Sequence, residues 1–224
     1  MPDRAERPPP PVRLPFADRT EAGRHLGDRL AAELGPLDPD DGVVLGLPRG
    51  GVIVAAEVAD RLGLPLDVLV VRKLGLPWRP ELAMGAIAGG GVVVRNETVI
   101  SRSGVRPADV AAVVEAEQAE LDRRERAYRG SRPPLSPAGR LAVVVDDGLA
   151  TGATARAALR AVRAAGASQV VLAVPVAPRD ADVGGDADDL VALARPRPFG
   201  AVGQHYHDFA ATTDEEVRAA LIRR

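Results

Sequence analysis

Short, continuous apolar runs alternate along the chain with longer segments in which apolar residues recur every three or four positions. The short runs are rich in Val and Leu and bounded by Gly, Pro or Asp, which is typical of strands buried on both faces of a sheet. They cover 43–47, 66–71, 141–145, 169–174 and 190–194. The longer segments predict helices over 18–34, 52–62, 107–129, 155–165 and 213–223. This alternation predicts an α/β fold, a parallel β-sheet flanked by helices.

Two segments depart from this pattern. Gly89-Gly90-Gly91 separates two apolar stretches, which predicts a β-hairpin or flexible flap over about 74–101. The long predicted helix 107–129 carries opposite charges spaced four residues apart, which pair along one helix surface. We interpret this charged surface as a solvated face. The pairs are Glu120/Arg124, Asp122/Arg126 and Glu125/Arg129.

Composition narrows the class of protein. The chain has 224 residues, of which 46% are apolar, enough for the core of one domain. Its 29 basic and 31 acidic residues nearly balance, so nothing points to nucleic acid or an anionic membrane surface. The absence of cysteine excludes disulfides, thiolate metal sites and a Cys nucleophile. We expect a disordered, Pro-rich segment at 1–15, a single domain over 16–224, no membrane span, and a cytoplasmic location.

The most informative segment is LAVVVDDGLATGAT, residues 141–154. A buried strand ends there in Asp146 and Asp147, at the end where parallel strands carry ligands. Two adjacent carboxylates repel each other and require donors or a cation. The loop then supplies the hydroxyls of Thr151 and Thr154 and the free N–H groups of a helix N-terminus, which favour an anion. The alternative is an ordinary strand–helix turn capped by an Asp and a Thr.

A second strand–helix turn has the sequence GLPRGG, residues 46–51. Gly50 and Gly51 allow close approach of the backbone to a ligand, and Arg49 is a donor suited to phosphate. The turn matches neither the Walker A loop nor the GxGxxG fingerprint. Arg72 and Lys73 end the next predicted strand, so we expect them at the same sheet edge as Arg49. The alternatives are a tight turn with a surface Arg, and a pair of solvated cations.

These motifs resemble a known family. VVVDDGLATGAT is similar to the phosphoribosyl pyrophosphate (PRPP) binding motif of type I phosphoribosyltransferases. The rest of the chain, from about residue 16 onwards, resembles a bacterial branch of predicted phosphoribosyltransferases. The matching segments are GLPRGGVIVA (46–55), VRKLGLP (71–77), ELAMGAIA (81–88) and VGQHYHDFAATTDEEV (202–217).

The resemblance implies transfer of the 5-phosphoribosyl group from PRPP to a nucleobase or similar nitrogen nucleophile, with release of pyrophosphate. Asp146 and Asp147 would bind the ribose hydroxyls and favour positive charge at C1. The cofactor would be Mg²⁺, held mainly by PRPP, with the acid pair as its candidate contact on the protein. The 5-phosphate would lie on Ala150, Thr151, Gly152, Ala153 and Thr154. The pyrophosphate would lie on Arg49, Gly50, Gly51, Arg72 and Lys73, and the family often has a non-proline cis peptide in that turn.

The acceptor is less constrained. Family members that act on 6-oxopurines usually carry an Asp where this chain has Ala150, which disfavours a purine-salvage role. We assign a small C-terminal hood to about 195–212, with Phe199 or Tyr206 stacking on the acceptor. Alternatively, these aromatic residues form a mini-core. His205 and His207 have no clear third ligand and do not predict a metal site. The resemblance makes a homodimer plausible.

Two other functions are compatible with the same motifs. A regulatory protein could bind PRPP or a nucleotide without turnover, and assays for pyrophosphate release would distinguish it. A receiver-like phosphoacceptor domain also uses paired acids at strand ends. In that fold the acid pair comes near the start of the chain and the Lys comes later, whereas here the single Lys73 precedes the pair.

Overall fold

The computed structural model describes residues 12–222. Strands occupy β1 (Gly42–Gly46), β2 (Leu66–Val68), β3 (Val71–Leu76), β4 (Arg79–Ala88), β5 (Val92–Arg95), β6 (Leu141–Val145), β7 (Gln169–Val176) and β8 (Asp189–Ala194). Helices occupy α1 (Arg19–Leu34), α2 (Gly50–Leu62), α3 (Glu97–Ser103), α4 (Pro107–Arg129), α5 (Ala153–Ala164) and α6 (Asp214–Ile222). No helix within 12–222 has an apolar stretch long enough to cross a membrane.

The main sheet is parallel and has five strands in the order β2-β1-β6-β7-β8. Successive side chains of a strand point to opposite faces, and both faces here are apolar. On one face Val44 and Val143 pack with α1 and α2. On the other face Leu45 and Val144 pack with Leu159 of α5. The predicted α/β class and flanking helices are confirmed.

The prediction of one strand over 66–71 is wrong. The main-sheet strand β2 ends at Val68, and β3 begins at Val71 in a separate antiparallel sheet with β4 and β5. The β-hairpin predicted around Gly89–Gly91 is present in this second sheet as β4 and β5. The charged residues Arg72 and Lys73 end the apolar run, and buried residues alternate with more exposed ones from Lys73 to Leu76, as in a strand with one buried face.

The charged helix α4 is more than a solvated face. The Glu120–Arg124 and Glu125–Arg129 pairs are present at 2.8 and 3.0 Å. Arg129, however, is buried, and its Nε donates to Asp67 at 2.7 Å while Nη2 donates to the Val68 carbonyl at 2.7 Å. This buried pair fixes the end of α4 to β2, a contact that the i, i+4 pattern alone does not predict.

The start and the end of the described chain meet in a small aromatic cluster. Phe16 and Tyr206 form a parallel bridge and are both buried, together with the partly buried Phe199 and Phe209. Val12 and Leu14 pack against the same cluster. Residues 1–11 of the predicted disordered segment lie outside the described residues.

Candidate functional site

The two glycine-containing turns leave the main sheet at the same edge. Gly46, the last residue of β1, is in register with Val145, the last residue of β6. The N–H of Leu47 donates to the Val145 carbonyl at 2.8 Å, which continues the pairing by one residue. The turn before α2 and the loop before α5 therefore lie side by side at the carboxyl ends of the strands.

Gly50 and Gly51 touch the acid pair. A Cβ atom on Gly51 would lie 2.8 Å from Asp146 Cα and 2.8 Å from the Val145 carbonyl oxygen, both backbone atoms that cannot move aside. A Cβ atom on Gly50 would collide with Asp147 Oδ2. Glycine at both positions is thus what allows the turn to approach the carboxylates. The peptide bond between Pro48 and Arg49 in this turn is cis, as the family resemblance implies.

Asp147 is fixed by side chains from both ends of the described chain. Arg19 of α1 forms an ion pair with it, Nε to Oδ2 at 2.8 Å, and both side chains are less than one fifth exposed. Arg19 also donates to the Ala210 carbonyl at 2.9 Å and lies 3.9 Å above the ring of Phe209. The Tyr206 hydroxyl donates to the Asp147 carbonyl at 2.6 Å. Asp147 therefore has both a counter-charge and a defined orientation.

Asp146 has no such counter-charge within residues 12–222. Its Oδ1 accepts the Asp147 N–H at 2.9 Å, and no cationic side chain of the described chain contacts it. Burial and the neighbouring Asp147 carboxylate raise the pKa of Asp146 to about 8. The two acids therefore differ in their partners: Arg19 neutralises Asp147, whereas Asp146 has no cationic partner among the described residues and can bind a ligand or a cation.

The loop before α5 forms an open helix N-terminus. The Leu149 N–H donates to the Val176 carbonyl at 2.9 Å, whereas Ala150 and Thr151 are exposed. Gly152 is the N-cap with φ +71°, a backbone conformation that favours glycine, and no side chain caps the helix. Ala153 and Thr154 belong to the first helical turn. The free N–H groups and the helix dipole make this loop suited to an anion.

Arg49 is exposed and turns towards α4. It lines a cavity of roughly 300 Å³ together with Arg123, Arg124, Tyr128 and Asp214. Within the described part of the chain no carboxylate pairs with Arg49, while Arg123 and Arg124 share the Glu120 carboxylate at 2.7 and 2.8 Å. Three guanidinium groups thus surround one polar cavity beside the turn.

Arg72 and Lys73 do not end a strand of the main sheet, so the predicted strand end is wrong, while their assignment to the pyrophosphate stays a prediction. Both lie inside β3 and point to opposite faces of the second sheet. Arg72 Nε forms an ion pair with Glu117 of α4 at 2.6 Å. Lys73 lies in a different cleft, against α5. The error arises because the run 66–71 is not one strand: β2 ends at Val68, and Arg72 and Lys73 belong to β3.

In the hood segment, 195–212, one aromatic residue belongs to a mini-core and another keeps a partly exposed ring that could stack on an acceptor. Tyr206 is buried, and its ring centroid lies 5.6 Å from that of Phe16 and 5.0 Å from that of Phe209. It is therefore part of the mini-core and has no free face for stacking. Burial and the nearby Asp147 carboxylate raise the pKa of its hydroxyl, which therefore stays a donor. Phe199 is only partly buried, 5.2 Å from the His205 ring. Burial lowers the pKa of His205.

Sequence reasoning missed Arg19, Arg123 and Arg124. One signal was available for Arg19: a cation in the first turn of a helix is disfavoured by the helix dipole, so it indicates a tertiary carboxylate partner. Arg123 and Arg124 resemble any surface residues of a charged helix, and no pattern in the sequence distinguishes them. No group of three or more His, Asp or Glu residues within 12–222 is arranged to hold a metal ion.

Comparison with known proteins agrees with this geometry. The profile of the phosphoribosyl transferase domain family matches residues 27–196. Two Mycobacterium tuberculosis proteins provisionally named phosphoribosyl transferase, MT0597 and Rv0571c, are 52% identical over 210 residues, which are 93% of this chain and 46% of each relative. The chain thus spans about half the length of these relatives.

A solved structure is similar over nearly the whole chain. The crystal structure of TT1426 from Thermus thermophilus superposes with a TM-score of 0.82 at 43% identity and covers 93% of this chain and 98% of that chain. The family match spans more than half of the chain and includes both glycine-containing turns and the acid pair. The chain therefore belongs to the phosphoribosyl transferase domain family.

Proposed function

We propose that the protein transfers the 5-phosphoribosyl group of PRPP to a nitrogen nucleophile and releases pyrophosphate. The observation that carries the proposal is the meeting of two anion-suited turns and an acid pair at one sheet edge, with Gly50 and Gly51 in direct contact with Asp146 and Asp147. PRPP has a phosphate, a ring with two hydroxyls, and a pyrophosphate in that order. The site offers a loop, two acids and a basic turn in a matching order.

At the ribose, the two acids have different tasks. Asp147, held by Arg19 and Tyr206, is a rigid acceptor for a ribose hydroxyl. Asp146 lacks a cationic partner among the described residues, and its raised pKa keeps a proton on it in the empty site. The positive charge that develops at C1 would favour release of this proton, and the resulting carboxylate would stabilise that charge. The C1–O bond to pyrophosphate breaks and its electron pair leaves with the pyrophosphate. The nitrogen lone pair then forms the C1–N bond, and the nucleophile loses its proton to solvent.

The two phosphate ends of PRPP need positive potential. We assign the 5-phosphate to the N–H groups and hydroxyls of Ala150–Thr154, at an α5 N-terminus that no side chain caps. We assign the pyrophosphate to the Arg49 turn. Arg123 and Arg124 add guanidinium donors to the cavity that Arg49 lines, and their charge is partly compensated by Glu120 and by Asp214. A leaving group that is held by guanidinium groups departs more readily, because its growing charge is neutralised.

A divalent cation fits this site. Asp146 supplies an oxygen donor without a counter-charge, and hard cations such as Mg²⁺ prefer oxygen ligands while keeping several waters. When bound, Mg²⁺ would neutralise pyrophosphate charge. Asp146 and Asp147 would hold it directly or through water.

The acceptor would lie under the segment 195–212, where Phe199 keeps a partly exposed ring for stacking. Position 150 is Ala, so no carboxylate is available beside a purine N7, and an acceptor other than a 6-oxopurine is favoured. A homodimer is a further prediction that rests on the family resemblance, and a cytoplasmic location is one that rests on the sequence.

The test combines PRPP and Mg²⁺ with a pool of nucleobases and small aromatic amides and acids, and measures released pyrophosphate and product mass. We expect Asp147→Asn to reduce turnover at least ~100-fold with the fold retained, as judged by circular dichroism. The exposed turn variant Asp40→Asn is the matched control and should retain full activity. PRPP binding without any pyrophosphate release would instead support a sensing role, and absence of PRPP binding would refute the proposal.

Arg49→Ala tests the pyrophosphate assignment separately. Its loss should weaken PRPP affinity at least tenfold in calorimetry, because a charge-assisted donor to phosphate is removed. Ribose 5-phosphate, which lacks the pyrophosphate, should bind the variant and the wild type equally. Unchanged PRPP affinity would remove Arg49 from the site.

A further inference from the structure

A second cleft lies between the β3–β4–β5 sheet and α5. Its volume is roughly 200 Å³. Small or apolar residues form its floor: Ala83, Gly85, Ala86 and Val94 from the sheet, and Ala153 and Ala157 from α5. Long basic side chains form its rim: Lys73, Arg95, Arg156 and Arg160.

The floor is built by strand register and helix periodicity. Lys73 pairs with Ala86, and Ala86 pairs with Val94, so these three residues share the sheet face that points to α5. A Cβ atom on Gly85 would collide with the Val94 carbonyl oxygen. On the helix, Ala153 and Ala157 lie one turn apart and face the sheet. Short side chains on both walls leave a narrow, apolar slot.

The rim carries uncompensated positive charge. Among residues 12–222 no carboxylate pairs with Lys73, Arg95 or Arg156, and Arg156 makes only long contacts of 3.4 and 3.5 Å to backbone carbonyls. Arg160 is the compensated member, at 2.8 Å from Asp186.

One carboxylate lines the cleft and is already paired outside it. Glu81 accepts from Arg79 at 3.1 Å, and both side chains are more than three fifths exposed. Three cations therefore remain for a ligand at the mouth of the slot. A flat apolar body fits the alanine floor, and anionic groups fit the rim.

We propose that this cleft is a binding site for a small organic phosphate with a flat aromatic body, of the class of nucleoside monophosphates. The cleft borders the 5-phosphate loop through Ala153 but contains neither Asp146 nor Asp147. It uses Lys73, the cation that the family resemblance assigns to the pyrophosphate. Arg156 connects the two regions, since its Nη2 lies 3.4 Å from the Thr151 carbonyl in the loop before α5. The proposal does not depend on the transferase activity.

Calorimetric titration with adenosine 5′-monophosphate tests the cleft. The double variant Lys73→Ala/Arg95→Ala should weaken binding at least tenfold, and Ala157→Leu should do the same by filling the floor without changing charge. Arg61→Ala/Arg102→Ala, an equal loss of charge at two exposed helix positions, should bind as the wild type does. The titrations are repeated with saturating ribose 5-phosphate, because the acid pair and the Ala150–Thr154 loop are proposed to bind the same phosphoribosyl group. Under that condition Asp147→Asn should leave nucleotide binding unchanged, which separates the cleft from the acid pair.

Two results would overturn the proposal. One is the absence of adenosine 5′-monophosphate binding to the wild type. The other is binding that Asp147→Asn abolishes while the cleft variants retain it, because the nucleotide would then lie at the acid pair. Thermal unfolding of each variant, which should match the wild type within a few degrees, shows that the fold is intact.

Discussion

Replacing Asp146 by Asn should make the protein more resistant to unfolding at alkaline pH and change it little in acid. Burial and the adjacent Asp147 carboxylate raise the pKa of Asp146 from 3.8 to about 8 in the folded protein. Between these values the folded protein holds a proton on Asp146 that the unfolded chain has released. The stabilising contribution of this group is therefore fully present below pH 3.8 and is lost as the pH rises through about 8.

The size of the effect follows from proton linkage. Where only the folded state holds the proton, the free energy of unfolding falls by about 1.4 kcal/mol per pH unit. From pH 5 to pH 8 the wild type should lose up to about 4 kcal/mol through this group, and the amide of Asp146→Asn loses none. Water entry and local relaxation lower the figure, and we expect a difference of at least about 1 kcal/mol.

Urea unfolding followed by circular dichroism at pH 5, 6.5 and 8 measures this difference. The gap in unfolding free energy between Asp146→Asn and the wild type should widen as the pH rises. Asp40→Asn, which removes an exposed turn carboxylate, should run parallel to the wild type. A gap that is the same at all three pH values would refute the assignment of a raised pKa to the partly buried Asp146.

Other predictions concern the scaffold of the site. Arg19→Met should cost about 2–4 kcal/mol in urea unfolding because Asp147 loses its counter-charge in a poorly exposed position. Arg79→Met removes an ion pair whose two side chains are both exposed and should cost less than about 1 kcal/mol, so equal costs would contradict the reasoning. Gly51→Ala should cost about 2 kcal/mol or more, because the new Cβ meets backbone atoms. Gly185→Ala has open space and should stay within about 0.5 kcal/mol of the wild type, and a silent Gly51→Ala would count against the close approach.

The elements of the main sheet could be predicted from the sequence because local signals agree there. Apolar runs marked β1, β6, β7 and β8 within two residues at each end. The capping residue Asp18 accepts the Glu21 N–H at 2.8 Å, as the Asp-x-x-Glu spacing indicates. The position of Asp146 and Asp147 beside Gly50 and Gly51 follows from parallel topology, which brings neighbouring strand ends to one edge.

What could not be predicted depends on contacts between distant segments. The run 66–71 looks like one strand, and only the packing of the second sheet shows where it divides. Arg129 reads as a member of an i, i+4 pair, but its burial against Asp67 comes from the way α4 crosses β2. Tyr206 is an aromatic residue that either stacks on a ligand or fills a core, and composition carries no information on the choice.

The attachment of Asp147 has a consequence for the order in which the site is assembled. Its carboxylate is oriented by Arg19, near the beginning of the described chain, and its carbonyl by Tyr206, near the end. During synthesis the strand that bears the acids emerges about sixty residues before Tyr206 does. A nascent chain, or one trimmed before Tyr206, would thus have both carboxylates without this orientation. The site would be fully ordered only after Tyr206 has packed against Phe16.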